Sequence, residues 1–161
     1  MNFEYRRNHI IKIKRLDKVK ADLKAYDEEM KLFKEIREEI KELRSGITDL
    51  RSGISNTDPV QGGGSSQEDR YIDVLYKIDE HERLLKLIDL DTRAIKAILH
   101  NLDEEEMLIV DSLRIKRTSS LRQLEPSLYL LKDTIKRRSD KILLYIYDEL
   151  YVKTPKEVYP V

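Results

Sequence analysis

Cysteine is missing altogether from this 161-residue chain, which excludes a disulfide framework, thiol catalysis and a cysteine-ligated zinc. It leaves no argument for secretion, and a cytoplasmic setting is the expectation. Glycine and proline are scarce and clustered. All five glycines fall between Ser45 and Ser65, and there are only four prolines, so few positions interrupt a helix and an all-α fold is expected. Long hydrophobic runs are absent as well. The longest uncharged apolar run, Ile142 to Tyr147, is far too short to span a bilayer. Met1 to Lys24 carries eight Lys/Arg without an apolar stretch of signal-peptide length, so a soluble protein with no membrane partner is expected.

Catalytic signatures are missing too. No Ser/His/Asp pattern, phosphate-binding loop or G-x-G-x-x-G is found in a strand-turn-helix context. His9, His81 and His100 are scattered, without the H-x-x-x-H spacing of a metal site, and are expected as ordinary surface or interface residues. Asp103, Glu104, Glu105 and Glu106 have the composition of a metal or catalytic carboxylate cluster. Four acids in one first turn are better explained by the helix dipole, which favours anions at an N-terminus. Neither an enzyme nor a cofactor is expected.

What the chain has in excess is charge, at 39% of residues, well above the usual quarter and consistent with long solvated helices. The net charge of zero is a cancellation between opposed regions. Arg114 to Lys141 holds nine Lys/Arg against Glu125, Asp133 and Asp140, a net +6. Leu102 to Leu113 holds five acids and no Lys or Arg, and Gln67 to Asp91 has eight Asp/Glu against four Lys/Arg. A local basic segment is an electrostatic footprint for nucleic acid even where the total is neutral.

Apolar residues from Leu16 through Val19, Leu23, Tyr26, Met30, Phe33, Ile36, Ile40 and Leu43 fall in steps of three and four, a heptad seam with one stammer. The seam continues through Ile47, Leu50 and Ile54, where Leu-Arg-Ser-Gly-Ile occurs twice at heptad spacing. Gly46 and Gly53 are expected to weaken the helix there. Asn56 to Ser66 is a break, because Pro, three Gly and two Ser do not continue a helix.

A second long helix is predicted from Ser66, as cap, to Asn101. Its main stripe is Leu75, Ile78, Leu85, Ile88, Ile95, Leu99 and Leu102, widened by Leu84, Leu87, Ala94 and Ile98, which implies more than one neighbour. Three shorter helices follow, over 103–114, 119–125 and 132–151. The expected fold is therefore all-α: a long antiparallel coiled-coil hairpin, then a small C-terminal helix-turn-helix bundle. Its parts are an N-terminal helix (1–55), a flexible linker (56–66), a second long helix (67–101), the helix-turn-helix (102–152) and a tail (153–161). A homodimer through the long helices is expected.

Ser120-Leu121-Arg122-Gln123-Leu124 followed by Lys132-Asp133-Thr134-Ile135-Lys136-Arg137-Arg138 is the most informative stretch. Leu121 and Leu124, then Leu128, Leu130 and Ile135, let two short helices cross over one small core, while the second presents cations suited to a phosphate-lined groove. Lys132, Lys136 and Arg137 are read as sharing one face that meets base edges, with Arg138 and Lys141 on phosphates. Arg114, Lys116, Arg117 and Arg122 would clamp the backbone beside them. The bland alternative is a solvated helix face. The N-terminal basic cluster (Arg6, Arg7, Lys12, Lys14, Arg15, Lys18, Lys20, Lys24) is better read as a coiled-coil flank, or as pairing with the acidic second helix, than as a second nucleic-acid arm. Tyr71, Tyr76, Tyr145, Tyr147 and Tyr151 read as core or interface aromatics.

The cadence of Leu102-Asp103-Glu104-Glu105-Glu106, Ser120-Leu121-Arg122-Gln123-Leu124 and Thr134-Ile135-Lys136-Arg137-Arg138 resembles the last helix-turn-helix of bacterial sigma factors, the sigma-70 region 4 type. With two coiled helices and the linker Asp58-Pro59-Val60-Gln61-Gly62-Gly63 ahead of it, the chain resembles phage-encoded sigma-like late-gene regulators of the RinA, ArpU and LtrC group. The resemblance implies a transcription activator that binds double-stranded promoter DNA and touches host RNA polymerase. It implies base reading by Lys132, Asp133, Lys136 and Arg137, and a backbone contact by Arg138.

The chain departs from that module in three places. Tyr129 and Leu131 stand where the turn holds Gly and then a capping Ser or Thr, and Pro126 stands where the first helix would continue. A non-Gly residue at positive φ is then expected, and a lost cap costs about 1 kcal/mol. Either the turn is rebuilt, with Asp133 near the cap, or DNA binding is weakened. In the second case the protein is a helical interaction module, an inhibitor or adaptor.

Overall fold

A computed structural model describes residues 3–54 and 67–153; for 49–54 and 67 only the backbone is described. The fold is all-α. Helix α1 runs Phe3–Ile54 and α2 Gln67–His100, packed antiparallel as a hairpin. Smaller helices follow and pack together: α3 (Glu104–Val110) with a π-helical turn (Asp111–Ile115), α4 (Leu121–Leu128), and α5 (Lys132–Asp148) with a terminal π turn (Glu149–Lys153). The expected linker over 56–66, the cap at Ser66 and residues 154–161 of the tail lie outside the described residues. No described helix is long and apolar enough to cross a membrane.

The chain divides into two compact units, Glu29–Asp91 and the combination of Met1–Glu28 with Thr92–Val161. Within Glu29–Asp91, the α1 and α2 seams meet at Ile36, Ile40, Ile78 and Ile88, flanked by Phe33, Leu43, Ile47, Val74 and Leu85. The heptad phase read from Leu16 to Ile47 is the phase that is buried. Polar clamps cross the seam: His81 Nε2 lies 2.7 Å from Glu39 Oε2, and Arg44 Nη2 donates to Glu82 Oε1 at 2.6 Å. Being exposed, such pairs fix register more than they stabilise, at ~1 kcal/mol or less each. The buried stripe of α2 is narrower than expected. Leu75, Leu84, Leu87 and Ala94 are exposed, because one facing helix covers only one side of α2.

The other unit has the larger core. Leu16, Val19 and Leu23 of α1 and Ile98 and Leu99 of α2 join Ile109, Val110, Ile115, Leu124, Ile135, Ile142, Leu143 and Ile146. Spacing puts these residues together: Ile135, Ile142, Leu143 and Ile146 share one face of α5 at helical period. The end of the chain's last helix is tied to α1 by aromatics. Tyr151 donates from its hydroxyl to Asp22 Oδ2 at 2.6 Å, Lys18 Nζ sits 3.6 Å from the Tyr151 ring centre, and the Arg15 guanidinium sits 5.1 Å from that of Tyr147. Arg15 and Lys18 of the N-terminal basic cluster thus find partners here, and Lys20 and Lys24 find theirs within α1, at Asp17 and Glu28.

The helix ends refine the expected boundaries. Asp103 caps α3 with a reciprocal box, its carboxylate accepting from Glu106 N–H at 2.7 Å while Glu106 Oε2 accepts from Asp103 N–H at 3.2 Å. The acidic run is therefore a helix start. The expected single helix over 103–114 turns π-helical at Asp111, and that over 132–151 does so at Glu149. Helix α1 begins at Phe3, ahead of the seam, since nothing before Leu16 interrupts it.

Gly46 lies inside α1, and a Cβ built on it would meet nothing within 4 Å. Gly46→Ala is expected to raise stability by roughly 0.5–1 kcal/mol, seen as a higher denaturation midpoint. Burial, then the Asp22 hydrogen bond, hold the Tyr151 phenol well above its ordinary value of 10.0. Since the neutral phenol is the form favoured by folding, its contribution is present below pH 10.0 and is lost as pH rises toward the folded value. Burial, then the charge of Asp111, also raise the Tyr26 phenol, so ultraviolet titration of phenolate formation should show late-titrating tyrosines, one of which disappears in Tyr151→Phe.

Candidate nucleic-acid interface

Helix α4 starts at Leu121, two residues after the expected start at Ser119. Ser120 is its N-cap, accepting from Gln123 N–H at 3.4 Å, and Gln123 Oε1 accepts from Ser120 N–H at 2.7 Å. This reciprocal pairing is the Ser-x-x-Gln capping box. The helix runs on through Pro126 to Leu128, three residues past the expected end at Glu125. Pro126 has no N–H for the Arg122 carbonyl, so the helix forgoes one backbone bond there, on its exposed side.

The turn between the helices is three residues long, Tyr129 to Leu131. Tyr129 takes the left-handed conformation, φ 53° and ψ 35°, in the position where glycine would be unstrained. Its ring is 94% exposed, so no packing compensates the conformational cost. Leu131 occupies the N-cap position of α5 with no side-chain cap bond. The missing cap is supplied across the turn, where Glu125 Oε1 accepts from the Lys132 backbone N–H at 2.6 Å. The expected rebuilding of the turn has thus occurred, but with Glu125 of α4; Asp133 lies in the first turn of α5.

Of the residues assigned from the sequence to DNA contact, Lys116, Arg117, Arg122, Lys132, Asp133, Lys136, Arg137, Arg138 and Lys141 are exposed, and Arg114 is not. Their arrangement differs from a single face. At about 100° per residue, Lys132 and Lys136 form one edge of the solvent side. Arg137, Asp133 and Lys141 occupy its middle. Arg138 lies on the far flank, where it donates to Glu105 of α3. It is therefore already engaged as an ion pair, unlike Lys136, Arg137 and Lys141, whose side chains have no ionic partner among the described residues.

The expected backbone clamp is thinner than the sequence suggests. Arg114 is half-buried and donates from Nε to Ser139 Oγ at 3.1 Å, and Lys116 Nζ pairs with Asp111 Oδ2 at 2.6 Å. That hydrogen bond, then the charge of Asp111, raise the Lys116 pKa above its ordinary value. Arg117, at φ 52°, and Arg122 remain solvent-facing. The π turn brings this about: its wider spiral buries Ser112 and Ile115 and turns Arg114 toward α5.

Sequence reasoning did not find Glu105 and Glu125. Their partners lie 33 and 7 positions away, outside the spacing of any local motif. No group of three or more acidic or imidazole side chains suited to a metal occurs among the described residues. No protein-family model, curated protein or solved structure matches this chain.

Replacing Tyr129 by Gly is expected to stabilise the protein by about 1 kcal/mol, since the left-handed cost for an L-residue is relieved. Glu125→Ala should destabilise it by about 1 kcal/mol through the lost cap. Thermal unfolding followed by circular dichroism reads both.

Proposed function

We propose that the protein is a sequence-specific double-stranded DNA-binding regulator of transcription that uses α4 and α5 as a helix-turn-helix. The observation that carries the reading is the solvent side of α5, where Lys132, Lys136, Arg137 and Lys141 stand exposed without ionic partners among the described residues while the opposite side is committed to the core. A helix with one side buried and cations on the other fits a major groove, and the exposed Arg122 of α4 is available for a phosphate. Lys136 and Arg137 read bases. Lys132, Lys141, Arg117 and Arg122 hold the backbone, and Asp133 restricts which bases are accepted. On the resemblance to sigma-like phage late regulators, the site acts at a promoter together with host RNA polymerase, in the bacterial cytoplasm and without catalysis.

Glu105 modifies this picture. It neutralises Arg138 and sets an acid beside the basic helix, so it lowers the attraction for phosphate. Tyr129 and Leu131, 94% and 75% exposed at the turn, favour a second reading in which this end of the unit docks a protein.

Fluorescence anisotropy with duplex DNA, after enrichment of a preferred site from a random pool, separates the two readings. The wild type should bind with an affinity that falls with salt, at a log-log slope of about −0.9 for each phosphate neutralised. Lys136→Ala/Arg137→Ala should weaken binding by roughly tenfold or more, and Glu105→Gln should strengthen it. Equal binding by wild type and double variant would sink the assigned recognition face, and absence of any enriched duplex would favour the protein-docking reading.

A further inference from the structure

On α2, opposite the seam formed by Val74, Ile78, Leu85 and Ile88, a second stripe faces solvent. It consists of Ile72, Tyr76, Glu80, Arg83, Leu87 and Leu90. The steps are four, four, three, four and three residues, which keep all six on one helical face over five turns. Its apolar members are large and open, at 47% for Ile72, 72% for Tyr76, 57% for Leu87 and 56% for Leu90. Single exposed apolar residues need no explanation, but two pairs of large ones aligned on one helix face about a central acid and base mark a contact.

The order along this stripe identifies what covers it. Read from either end it runs apolar, apolar, charged, charged, apolar, apolar, with the acid and the base adjacent at the centre. Laid antiparallel on a second copy of itself about a point between residues 81 and 82, Ile72 meets Leu90 and Tyr76 meets Leu87. Glu80 then meets Arg83 of the second copy, twice, once on each side of the axis. Asp79, paired with Arg83 at 2.6 Å within the chain, adds to the same acidic side and approaches Lys86 of the second copy. A parallel arrangement would set Glu80 against Glu80 and Arg83 against Arg83. Such a pattern is self-complementary only under a two-fold axis perpendicular to the helix, which is the isologous interface of a closed dimer. One rim contact, Asp73 with Asp91 of the second copy, is of like charge and opposes it in the solvent-screened periphery.

We propose that α2 is a homodimerisation helix, pairing antiparallel with α2 of a second copy through Ile72, Tyr76, Leu87 and Leu90, with register and direction set by reciprocal Glu80–Arg83 pairs. The proposal is independent of DNA binding and rests on a different part of the chain.

Sedimentation equilibrium of the full chain over a wide concentration range tests it, with helix content and unfolding midpoint checked for each variant. The wild type should populate dimer. Tyr76→Glu and Leu87→Glu should each leave monomer, and Glu80→Arg alone or Arg83→Glu alone should weaken the dimer by roughly tenfold or more, since each sets like charges together at two places. Mixing Glu80→Arg protein with Arg83→Glu protein should restore dimer as the heterodimer, visible by native mass spectrometry, and the double reversal in one chain should restore the homodimer. A wild type that stays monomeric throughout overturns the proposal. So do charge reversals that leave the dimer unchanged, or single variants that weaken it without rescue on mixing.

Discussion

Helix α5 buries one side in the core and leaves cations on the other, and most of the C-terminal architecture follows from the buried side. Ile135, Ile142, Leu143 and Ile146 are buried almost completely, and no short helix in this unit could cover them alone. The α3 helix with its π turn, the α4 helix, Leu16, Val19, Leu23 and Tyr26 of α1 and the end of α2 each supply part of the covering. Burying aliphatic side chains of this size contributes ~1.5–3 kcal/mol each, whereas the caps and surface ion pairs contribute about 1 kcal/mol or less apiece. The apolar side of α5 therefore sets where the helix sits, and the cations on its other side have their position fixed as a by-product. A site formed in this way is rigid without relying on any contact of its own.

Periodicity made much of this legible beforehand. The seam from Leu16 to Ile47 is a local pattern of this kind, and its residues are buried or half-buried. The capping boxes at Asp103 and Ser120 are equally local, but the acids of the first read from sequence only as a helix-dipole effect and the second was not read at all. Helix ends were less legible because nothing local marks a π turn: Asp111 to Ile115 continues the helical spacing while changing which side chains point inward. The width of the α2 stripe was overread for a related reason. Leu84 and Leu87 are as apolar as Leu85, and sequence alone does not say that only one neighbouring helix lies within the Glu29–Asp91 unit to receive them.

At the candidate interface the cations were legible and their pairing was not. Lys136 and Arg137 stand out by type and spacing, but Arg138 next to them is tied to Glu105 by a contact 33 residues away. Arg114, which belongs to the same basic run, turns inward to Ser139. A charge count of the segment thus overstates what faces solvent, since side chains in one run are distributed between core, ion pair and surface by tertiary structure that the count ignores. The unusual turn shows the converse. Tyr129 and Leu131 read as defects, and one of the two is offset by a carboxylate from the preceding helix.

That carboxylate makes the identities of residues 125 and 131 interdependent. While position 131 is an aliphatic residue, position 125 has to be an acceptor long enough to reach back over three residues of turn, and Asp would fall short where Glu reaches. Were 131 to become Ser or Thr, the amide end of α5 would be satisfied locally and 125 would be released to vary, including to a cation that extends the basic surface onto α4. Drift at these two sites is therefore expected to be correlated and ordered, with the change at 131 preceding the one at 125. The charge available to this end of the unit is set by that order as much as by the basic residues themselves.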